Sequence, residues 1–521
     1  MVTCNVRRWM KWVAMCVFAA GFATTAEAQY KGPSSSATPY VLPLNPAKYS
    51  TTSILTVGDT AGGYKMAGIP DGLGAFDNGN GTFTVLMNHE IASGVGTGRT
   101  HNPGGNGAFV SEWIIDKYTL KVLGGQDLIQ TVKTDTGTVL TGSALNFSRF
   151  CSADLPATSA FYNANTGLGT QARIFMNGEE SGSSSRALAN IVTGSEAHTS
   201  YVLSKFSGTG ASWENLLANP NSGNKTIVAA SNDTSPSGKN YFYVGTKTDT
   251  GTEIDKAGLT NGTLFTVKVD GVTAESRANA LGTSTPDYDG HFTLSSNLSE
   301  GTSFLRSEDG VWDPNSPNDY YFVTTDRLDT HDDPSLATQA GNSRLWHMHF
   351  DDLEHPELGG RIEALLTGIS TDPLHPDLTQ PNMMDNITMD QYGNILIQED
   401  VGNAAHNGKV FIYNVNTKQL TMIADHDQSR FGDIGQAATS PFNRDEESSG
   451  IIDVSSIFGK GHYLFVDQAH YSTGDAYTVE GGQLLLLRVV PEPKSVLLFL
   501  TGAAVLVGGN WLSRRRRMAA L

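Results

Sequence analysis

Acidic side chains follow strand-like segments at recurring points along the chain, and carboxylates are the groups from which many cation sites are built. Each segment alternates aromatic and aliphatic residues and ends in an acid or another polar residue. The segments are Phe83–Glu90, Ala172–Glu180, Asn240–Lys247, Asp319–Asp326, Asn394–Asp400 and His462–Asp467. Carboxylates gathered in a region of low dielectric repel one another unless protons or cations neutralise them. The pattern therefore predicts a cation site if the fold brings these strand ends together.

The elements that position these acids form a sixfold repeat. After each segment comes a loop and a second strand-like run, and the fifth copy shows two hairpins in succession over residues 386–424. Four antiparallel strands in order make one propeller blade, and repetition of such a unit decides the architecture. The sequence predicts an all-β, six-bladed β-propeller over residues 29–489. We expect the N-terminal strand Ser53–Asp59 to complete the sixth blade and close the ring, which would remove an open sheet edge.

In such a blade, the start of the first strand and the end of the second strand lie at the same face. The polar residues that precede or open the first strands are Asp71, Cys151, Asp154, Glu308, Asp309, Asp385, Glu446 and Glu447. Those at the ends of the second strands are Glu90, Glu179, Glu180, Lys247, Asp326, Glu399, Asp400, Asp467 and His470. We expect these side chains to converge near the central axis. Lys247 would make the mouth asymmetric, because most other copies offer a carboxylate there.

Three interpretations of this face remain open: a catalytic metal cluster, structural calcium, or solvated loops. Calcium takes six to eight oxygen ligands, which carboxylates from several blades could supply. Arg306, two residues before Glu308, suits either a bidentate clamp on a phosphate oxyanion or a neutralising salt bridge. Cys151 is either a thiolate ligand or a small buried hydrophobic residue. For His347 and His349, which share one face of a strand, packing is favoured over metal ligation.

The two ends of the chain have the composition of processing segments. Residues 1–28 contain a basic start, an apolar stretch and a small-residue site at residues 26–28, which together indicate a secretory signal peptide. The formal net charge is −18, and residues 1–28 and 494–521 together hold eight basic residues and one acidic residue, so residues 29–493 carry −25. This charge disfavours nucleic acid as a partner and favours cations. Only Cys151 remains between these ends, so an internal disulfide is excluded there.

The C-terminal segment 490–521 combines Pro-Glu-Pro, an apolar stretch over residues 495–512 and four arginines at 514–517. The apolar stretch is long enough to predict a transmembrane helix, and the arginines predict its cytoplasmic side. The order of these three parts resembles the PEP-CTERM sorting tail that exosortases process in Gram-negative bacteria. This resemblance implies export across the inner membrane and delivery to the cell surface or the extracellular matrix. An ordinary tail anchor is the alternative.

Seven motifs spread over the body resemble the PhoX-type alkaline phosphatase family, also called the DUF839 propeller group. They are MNHE at 87–90, RFCSADL at 149–155, NGEESG at 177–182, LRSEDGVWDP at 305–314, DNITMDQYGN at 385–394, ILIQED at 395–400 and DEESSGI at 445–451. The resemblance implies a six-bladed propeller that holds calcium and iron at its axis and hydrolyses phosphomonoesters. It departs from the family at Cys151, which lies farther from Glu179 than the cysteine of the phosphatases lies from the paired glutamates.

The resemblance also implies roles for individual residues. Arg306 would clamp phosphate and Glu308 would act beside it as a metal ligand. The further ligands it implies are Glu90, Cys151, Glu179, Glu180, Glu399 and Asp400. The strand-end pattern adds Asp326 to this set.

The sequence thus predicts an exported, metal-dependent phosphomonoester hydrolase that is a monomer. The alternatives are a calcium-stabilised surface or matrix propeller without catalysis, and a calcium-only propeller hydrolase of the lactonase or phytase kind.

Overall fold

A computed structural model describes residues 29–235, 237–275, 289–325, 343–367, 380–402 and 406–489. The signal-peptide segment 1–28, the sorting tail from residue 490 onward and Asp326 lie outside these residues. The described chain is nearly all β-structure. Its α-helices there are three single turns: α1 (Glu253–Lys256), α2 (Gln428–Phe431) and α3 (Ser455–Phe458). None of its helices is long and apolar enough to cross a membrane.

The strands form six antiparallel units, numbered here in chain order, and the N-terminal strands extend two of them. The N-terminal strands are β1 (Gln29–Lys31), β2 (Val41–Pro43), β3 (Tyr49–Thr56), β4 (Thr60–Ala61) and β5 (Tyr64–Lys65). Unit 1 contains β6 (Pro70–Asp77), β7 (Thr82–His89), β8 (Phe109–Asp116) and β9 (Val122–Asp127).

Unit 2 carries a parallel edge strand and a small separate hairpin. Its strands are β10 (Thr131–Thr134), β11 (Phe150–Asp154), β14 (Ile174–Glu179), β15 (Ala187–Ile191) and β16 (Thr199–Val202), and the hairpin is β12 (Tyr162–Asn163) with β13 (Leu168–Gly169). The order across the sheet is β10-β16-β15-β14-β11. The parallel strand β10 forms one edge, and β11, which is the first antiparallel strand of the unit, forms the other.

Units 3 and 4 are joined into one sheet by their last strands. Unit 3 contains β17 (Leu217–Ala218), β18 (Lys225–Ser231), β19 (Gly238–Thr246), β20 (Thr263–Val269) and β21 (Asp289–Ser295). Unit 4 contains β23 (Ser307–Trp312), β24 (Asp319–Thr324), β25 (Arg344–Phe350) and β26 (Gly360–Thr367), preceded by β22 (Ser303–Phe304). Strand β21 pairs with β26, and β22 pairs with β19.

Units 5 and 6 each receive a strand from the N-terminal region. Unit 5 contains β27 (Met384–Met389), β28 (Asn394–Glu399), β29 (Lys409–Asn414) and β30 (Gln419–His426), extended by β2. Unit 6 contains β31 (Glu446–Asp453), β32 (His462–Ser472) and β33 (Glu480–Val489). Strand β3 pairs with β33 from Tyr49–Val489 to Thr56–Gln483, so the predicted pairing of an N-terminal strand with the last unit is confirmed.

The hydrophobic core is divided into layers between neighbouring units. Alternate residues of a strand face opposite sides of its sheet, so each sheet contributes to two layers. In unit 3, for example, Val228 packs with Ile174 and Met176 of unit 2, whereas Ile227 packs with Phe322 of unit 4. The last layer contains Leu464 and Leu484 of unit 6 together with Leu73 and Val85 of unit 1. The layers therefore follow the units in circular order.

The first strands of the units meet at the centre of this arrangement. Strand β6 contacts β11, β11 contacts β17, β17 contacts β23, β23 contacts β27, β27 contacts β31, and β31 contacts β6. The approach is close at Gly72, where a Cβ atom would lie 2.4 Å from the backbone nitrogen of Ala153. A larger residue at position 72 would push the first strands of units 1 and 2 apart.

The third unit differs from the sequence prediction by one strand. The segment that ends at Lys247 forms β19, which is the third strand of the unit, because β17 and β18 precede it. The short β17 has only two residues in regular pairing and gives too little alternation to be recognised. Lys247 therefore lies at the opposite end from the predicted mouth, where its Nζ contacts the carbonyl oxygen of Lys225. The prediction for Lys247 was wrong.

Candidate metal centre

The first and second strands of five units share the same pairing and the same irregularity. The last regular pairs before the irregularity are Pro70–His89, Phe150–Glu179, Trp213–Asn232, Ser307–Thr324 and Met384–Glu399. After each pair the first strand carries one more residue than its partner before pairing resumes. Such a bulge bends the strand and re-aims a side chain. In each of these units the bulge thus re-aims the side chain of the residue that directly follows the pair in the first strand.

A backbone hydrogen bond repeats next to this pair. The N–H of the residue after the second strand donates to the carbonyl oxygen of the residue before the pair, over 2.8–3.1 Å. The pairs are Glu90 to Ile69, Glu180 to Arg149, Asp233 to Ser212, Thr325 to Arg306 and Asp400 to Met383. Four of these accepting residues, Ile69, Arg149, Arg306 and Met383, have φ between 48° and 55°. This left-handed conformation is uncommon for residues other than glycine and is found at functional sites.

Two sets of side chains follow from this register. The inner set comprises the bulge residues of units 1 to 5 and Glu447 of unit 6: Asp71, Cys151, Glu214, Glu308, Asp385 and Glu447. The outer set comprises the residues after the second strands: Glu90, Glu180, Asp233, Thr325 and Asp400. In unit 6, His470 lies 3.9 Å from the inner-set residue Glu447. Glu447 belongs to a strand whose register shift comes later, between Ser449 and Ile452.

These sets surround a small cavity of about 170 Å³ that is lined by ionisable side chains. Its lining residues are Asp71, Glu90, Arg149, Cys151, Glu180, Glu214, Asp233, Arg306, Glu308, Asp385, Asp400 and Glu447. Nine of them are carboxylates, one is a thiol and two are guanidinium groups. Two arginines cannot balance nine carboxylates, so the cavity needs protons or metal cations.

Two groups within the cavity have the spacing of metal ligands. One ligand atom from each of Asp71, Glu90 and Cys151 lies within 4.8 Å of the other two, and the same holds for Glu214, Glu308 and Asp385. Ions bind carboxylate oxygen at 2.0–2.6 Å, so ligand atoms around one ion lie up to about 5 Å apart. The all-carboxylate group fits a hard cation such as calcium, and the group with Cys151 fits a transition metal.

Burial and the charge of neighbouring acids both disfavour the charged form of these carboxylates. Burial, followed by the negative charge of neighbouring acids, raises the pKa of Asp71, Glu214, Glu308 and Asp385 well above the usual range. Burial raises the pKa of Glu447 to about 7. Without a metal ion these groups would take up protons at neutral pH. A bound divalent cation would stabilise them in the charged form instead.

The two arginines are held by carboxylates of different units. Nη2 of Arg306 lies 2.9 Å from Glu308 and 3.0 Å from Asp233, and its Nε donates to Asp233 over 3.2 Å. Arg149 forms an ion pair with Glu180 and donates from Nε to the carbonyl oxygen of Glu180 over 2.9 Å. Its Nε lies 3.8 Å from Glu90. Each arginine stands two residues before an inner-set residue of its own unit.

Two of the predicted metal ligands lie outside the cavity lining. Glu179 forms an ion pair with Arg186 and accepts a hydrogen bond from the backbone of Ser148. Glu399 accepts backbone hydrogen bonds from Asn382 and Lys409, and burial raises its pKa to about 8. Successive side chains of a strand face opposite sides. Only the second acid of each adjacent pair, Glu180 or Asp400, therefore lines the cavity.

The fourth unit has a hydroxyl in place of an outer carboxylate. Thr325 occupies the position that was predicted for Asp326, and its Oγ1 lies 3.0 Å from Glu308 Oε1 and 2.8 Å from the carbonyl oxygen of Met384. Asp326 itself falls outside the described residues.

The other predicted residues, Glu90, Cys151, Glu180, Arg306, Glu308 and Asp400, are brought together at the cavity. Sequence reasoning missed Arg149, Glu214 and Asp233. Asp233 follows β18, and the backbone N–H of Glu214 donates to Ser231 at the end of β18. Recognition of Lys225–Ser231 as the second strand of unit 3 would therefore have found both. Arg149 could have been found from the spacing that it shares with Arg306, since both precede an inner-set residue by two positions.

Comparison with known proteins gives remote structural likeness only. No family model matches the chain, and no curated protein matches it. An α-L-arabinofuranosidase of family GH93 from Fusarium graminearum is similar at 8% identity and TM-score 0.38, covering 80% of this chain and 92% of that one. The α-L-arabinofuranosidase PaAbf62A from Podospora anserina shows 10% identity and TM-score 0.35, covering 85% and 97%. The β-propeller domain of the Trilobed protease from Pyrococcus furiosus shows 9% identity and TM-score 0.30, covering 77% and 91%.

Proposed function

We propose that this protein is an exported, metal-dependent phosphomonoester hydrolase of the PhoX type, built as a closed six-bladed β-propeller with its active site in the central cavity. The observation that carries the proposal is the combination of two ligand groups and two arginines in one cavity. Phosphate binding requires concentrated positive charge, and a cavity that gathers metal ligands around guanidinium groups can supply it. The circular order of first-strand contacts supports the closed propeller.

We assign calcium to the group Glu214, Glu308 and Asp385, and iron to the group Asp71, Glu90 and Cys151. When bound, such ions supply charge that stabilises phosphate oxygens and lowers the pKa of a water molecule. Glu447 and Asp400 complete the negative lining that would hold additional calcium. Burial raises the pKa of the Cys151 thiol, so a nearby cation is needed to stabilise its thiolate.

Arg306 is the residue we assign to phosphate orientation. Its guanidinium is fixed by Asp233 and Glu308, which leaves its position defined before substrate binds. These contacts use Nε and Nη2, so the guanidinium would offer its Nη1 donors to oxygens of a phosphoryl group. It would also stabilise charge on these oxygens as the ester bond breaks. Arg149 is placed to act from unit 2 in the same way.

The proposed export rests on the two ends of the chain. The signal peptide would direct the body out of the cytoplasm, and the PEP-CTERM-like tail would hold it at the membrane until an exosortase-type enzyme processes it. We propose the cell surface or the extracellular matrix as its destination and a monomer as its state.

A non-catalytic calcium-stabilised surface propeller is the second candidate. The observation that favours it is that both arginines already form ion pairs with carboxylates, so they would neutralise the cavity without any substrate. The two candidates differ in what the removal of Arg306 would do.

Replacement of Arg306 by Ala tests the proposed function. We expect kcat/KM for a chromogenic phosphomonoester to fall by about 100- to 1000-fold, as for loss of one charge-stabilising donor. Arg306→Lys should restore part of the activity, because it returns the charge without the bidentate geometry. Arg430→Ala serves as the matched control, since Arg430 pairs with Asp427 away from the cavity.

Metal analysis of the same preparations decides between the candidates. Iron together with calcium in an active protein supports the phosphatase. Calcium in a protein that lacks phosphomonoesterase activity would favour the surface propeller. Unchanged activity in Arg306→Ala would contradict the role of this residue.

A further inference from the structure

A further group of side chains of the kind that bind metal ions lies in unit 4, at the end remote from the central cavity. Asp319 opens strand β24, whereas Thr325, which follows the same strand, contacts the cavity residue Glu308. Six residues of extended strand span about 20 Å. His347 and His349 of β25 lie beside Asp319, at this remote end.

The backbone register places these side chains on one face of the sheet. Asp319 is the cross-strand partner of His349, and Glu363 of β26 is the partner of His347. His347 and His349 are two residues apart, so they point to the same side of β25. Three adjacent strands therefore contribute two imidazoles and two carboxylates to one small patch.

The nitrogen atoms converge on a single carboxylate oxygen. Nε2 of His347 and Nδ1 of His349 each lie 2.7 Å from Oδ1 of Asp319. The two nitrogens therefore lie at most 5.4 Å apart, whereas ligand atoms around a tetrahedral zinc ion lie about 3.3 Å apart. Side-chain rotations that bring the two nitrogens closer together would let both of them and the carboxylate ligate one ion in place of these hydrogen bonds. Two imidazoles and a carboxylate form a donor set that suits zinc and similar transition metals.

The groups behind these ligands also have the arrangement of a metal site. Oε1 of Glu363 lies 2.9 Å from Nδ1 of His347, the nitrogen that would not ligate the ion. A carboxylate in that place fixes the tautomer and the ring orientation of a metal-binding histidine. The hydroxyl of Ser316 donates to Oδ2 of Asp319 and so orients the third ligand. The side chain of His349 is 44% exposed, which gives an ion access from solvent.

We propose that His347, His349 and Asp319 bind one divalent transition-metal ion of the zinc class, oriented by Glu363 and Ser316. The site is separate from the proposed catalytic centre and does not depend on it. An ion there would link β24 to β25 directly, and through Glu363 it would fix β26 as well. The ion would therefore stabilise unit 4 by cross-linking its strands.

Zinc binding to the full-length protein, after chelator treatment, tests this proposal. We expect His349→Ala to bind one zinc ion fewer than wild type in a competition titration with a chromogenic chelator. The central cavity contributes equally to both proteins, so the difference reports on the remote site. His355→Ala is the matched control, because His355 lies in the same unit, is exposed and contacts Glu357 at 3.4 Å. It should bind as much zinc as wild type.

Glu363→Gln gives a second test that retains all three ligands. We expect about 10- to 100-fold weaker zinc binding at this site, the usual effect of losing a supporting carboxylate. Zinc should also raise the melting temperature of wild type more than that of His349→Ala. Equal zinc stoichiometry in wild type and His349→Ala, or an equal loss in His355→Ala, would overturn the proposal. An unchanged affinity in Glu363→Gln would overturn the supporting role of Glu363.

Discussion

Units 2 and 4 use the same backbone to hold an arginine at the cavity, but they balance its charge differently. Arg149 and Arg306 both have left-handed φ, both precede a bulge, and both accept a hydrogen bond from the residue after the second strand. In unit 2 the inner residue is the thiol Cys151 and the outer residue is the acid Glu180. In unit 4 the order is reversed, with an acid, Glu308, inside and a hydroxyl outside.

The partners of the two arginines follow from this reversal. Arg149 pairs with the outer acids Glu180 and Glu90, whereas Arg306 pairs with the inner acid Glu308 and with Asp233 of unit 3. Each arginine thus lies where its own unit offers a carboxylate. The difference teaches that the repeat fixes the backbone, while the residue type at two positions per unit decides where the positive charge lies. A ring with identical units would have no such polarity.

The largest contrast is expected from replacing the inner residues of these two units. Glu308→Gln removes a ligand of the all-carboxylate group and one partner of Arg306, so we expect loss of a bound ion and more than about 100-fold lower activity. Cys151→Ser keeps the cavity shape and should lower iron content while calcium remains. Metal content and kcat/KM measured on the same samples check both. Equal losses of both metals in the two variants would contradict separate ligand groups.

A smaller contrast is expected in the pH dependence of stability without metal. Burial outweighs the opposing charge of Arg149 and raises the pKa of Glu180 to about 8 in the absence of metal, against an ordinary value near 4.5. The folded protein therefore keeps a proton on Glu180 that the unfolded chain releases, and the free energy of unfolding falls as pH rises from about 4.5 to 8. Chelator-treated protein should lose stability over this window, and Glu180→Gln should lose less.

Unit 4 supplies the control for this measurement, because its outer residue Thr325 has no ionisable group. Thr325→Val should leave the pH dependence of unfolding as in wild type. Thermal unfolding scans at several pH values in the presence of chelator distinguish the variants. A parallel pH dependence in Glu180→Gln and wild type would show that other acids carry the effect.

The sequence was sufficient for the repeat and for the strand-end acids, because both depend on local patterns. Alternation identified strands such as β28 and β29, and the N-terminal strand was correctly paired with the last unit. The same pattern misassigned unit 3, where the first strand is too short to alternate. Because of this error of one strand, the prediction placed Lys247 at the mouth and did not include Glu214 and Asp233.

The sequence could also have shown which of two adjacent acids faces the cavity. Adjacent acids such as Glu179 and Glu180 cannot both face the axis, so period-two alternation would have rejected one of each pair. What local patterns could not provide was the bulge after each first pair, because a bulge depends on the register between two strands. Without it, the shared position of Arg149 and Arg306 is not visible.

Replacement of Thr325 is expected to have the smallest effect on activity. It separates the contribution of unit 4 to stability from its contribution to catalysis. Its hydroxyl is buried and contacts both Glu308 and the carbonyl oxygen of Met384. Thr325→Val keeps the shape but leaves the carbonyl oxygen of Met384 without this donor, which should cost about 1–3 kcal/mol of unfolding free energy. Because Arg306 still pairs with Glu308 and Asp233, activity should fall only a few-fold. Denaturant unfolding and kcat/KM of this variant check the two parts, and a loss of activity as large as in Arg306→Ala would show that Thr325 itself acts on the substrate.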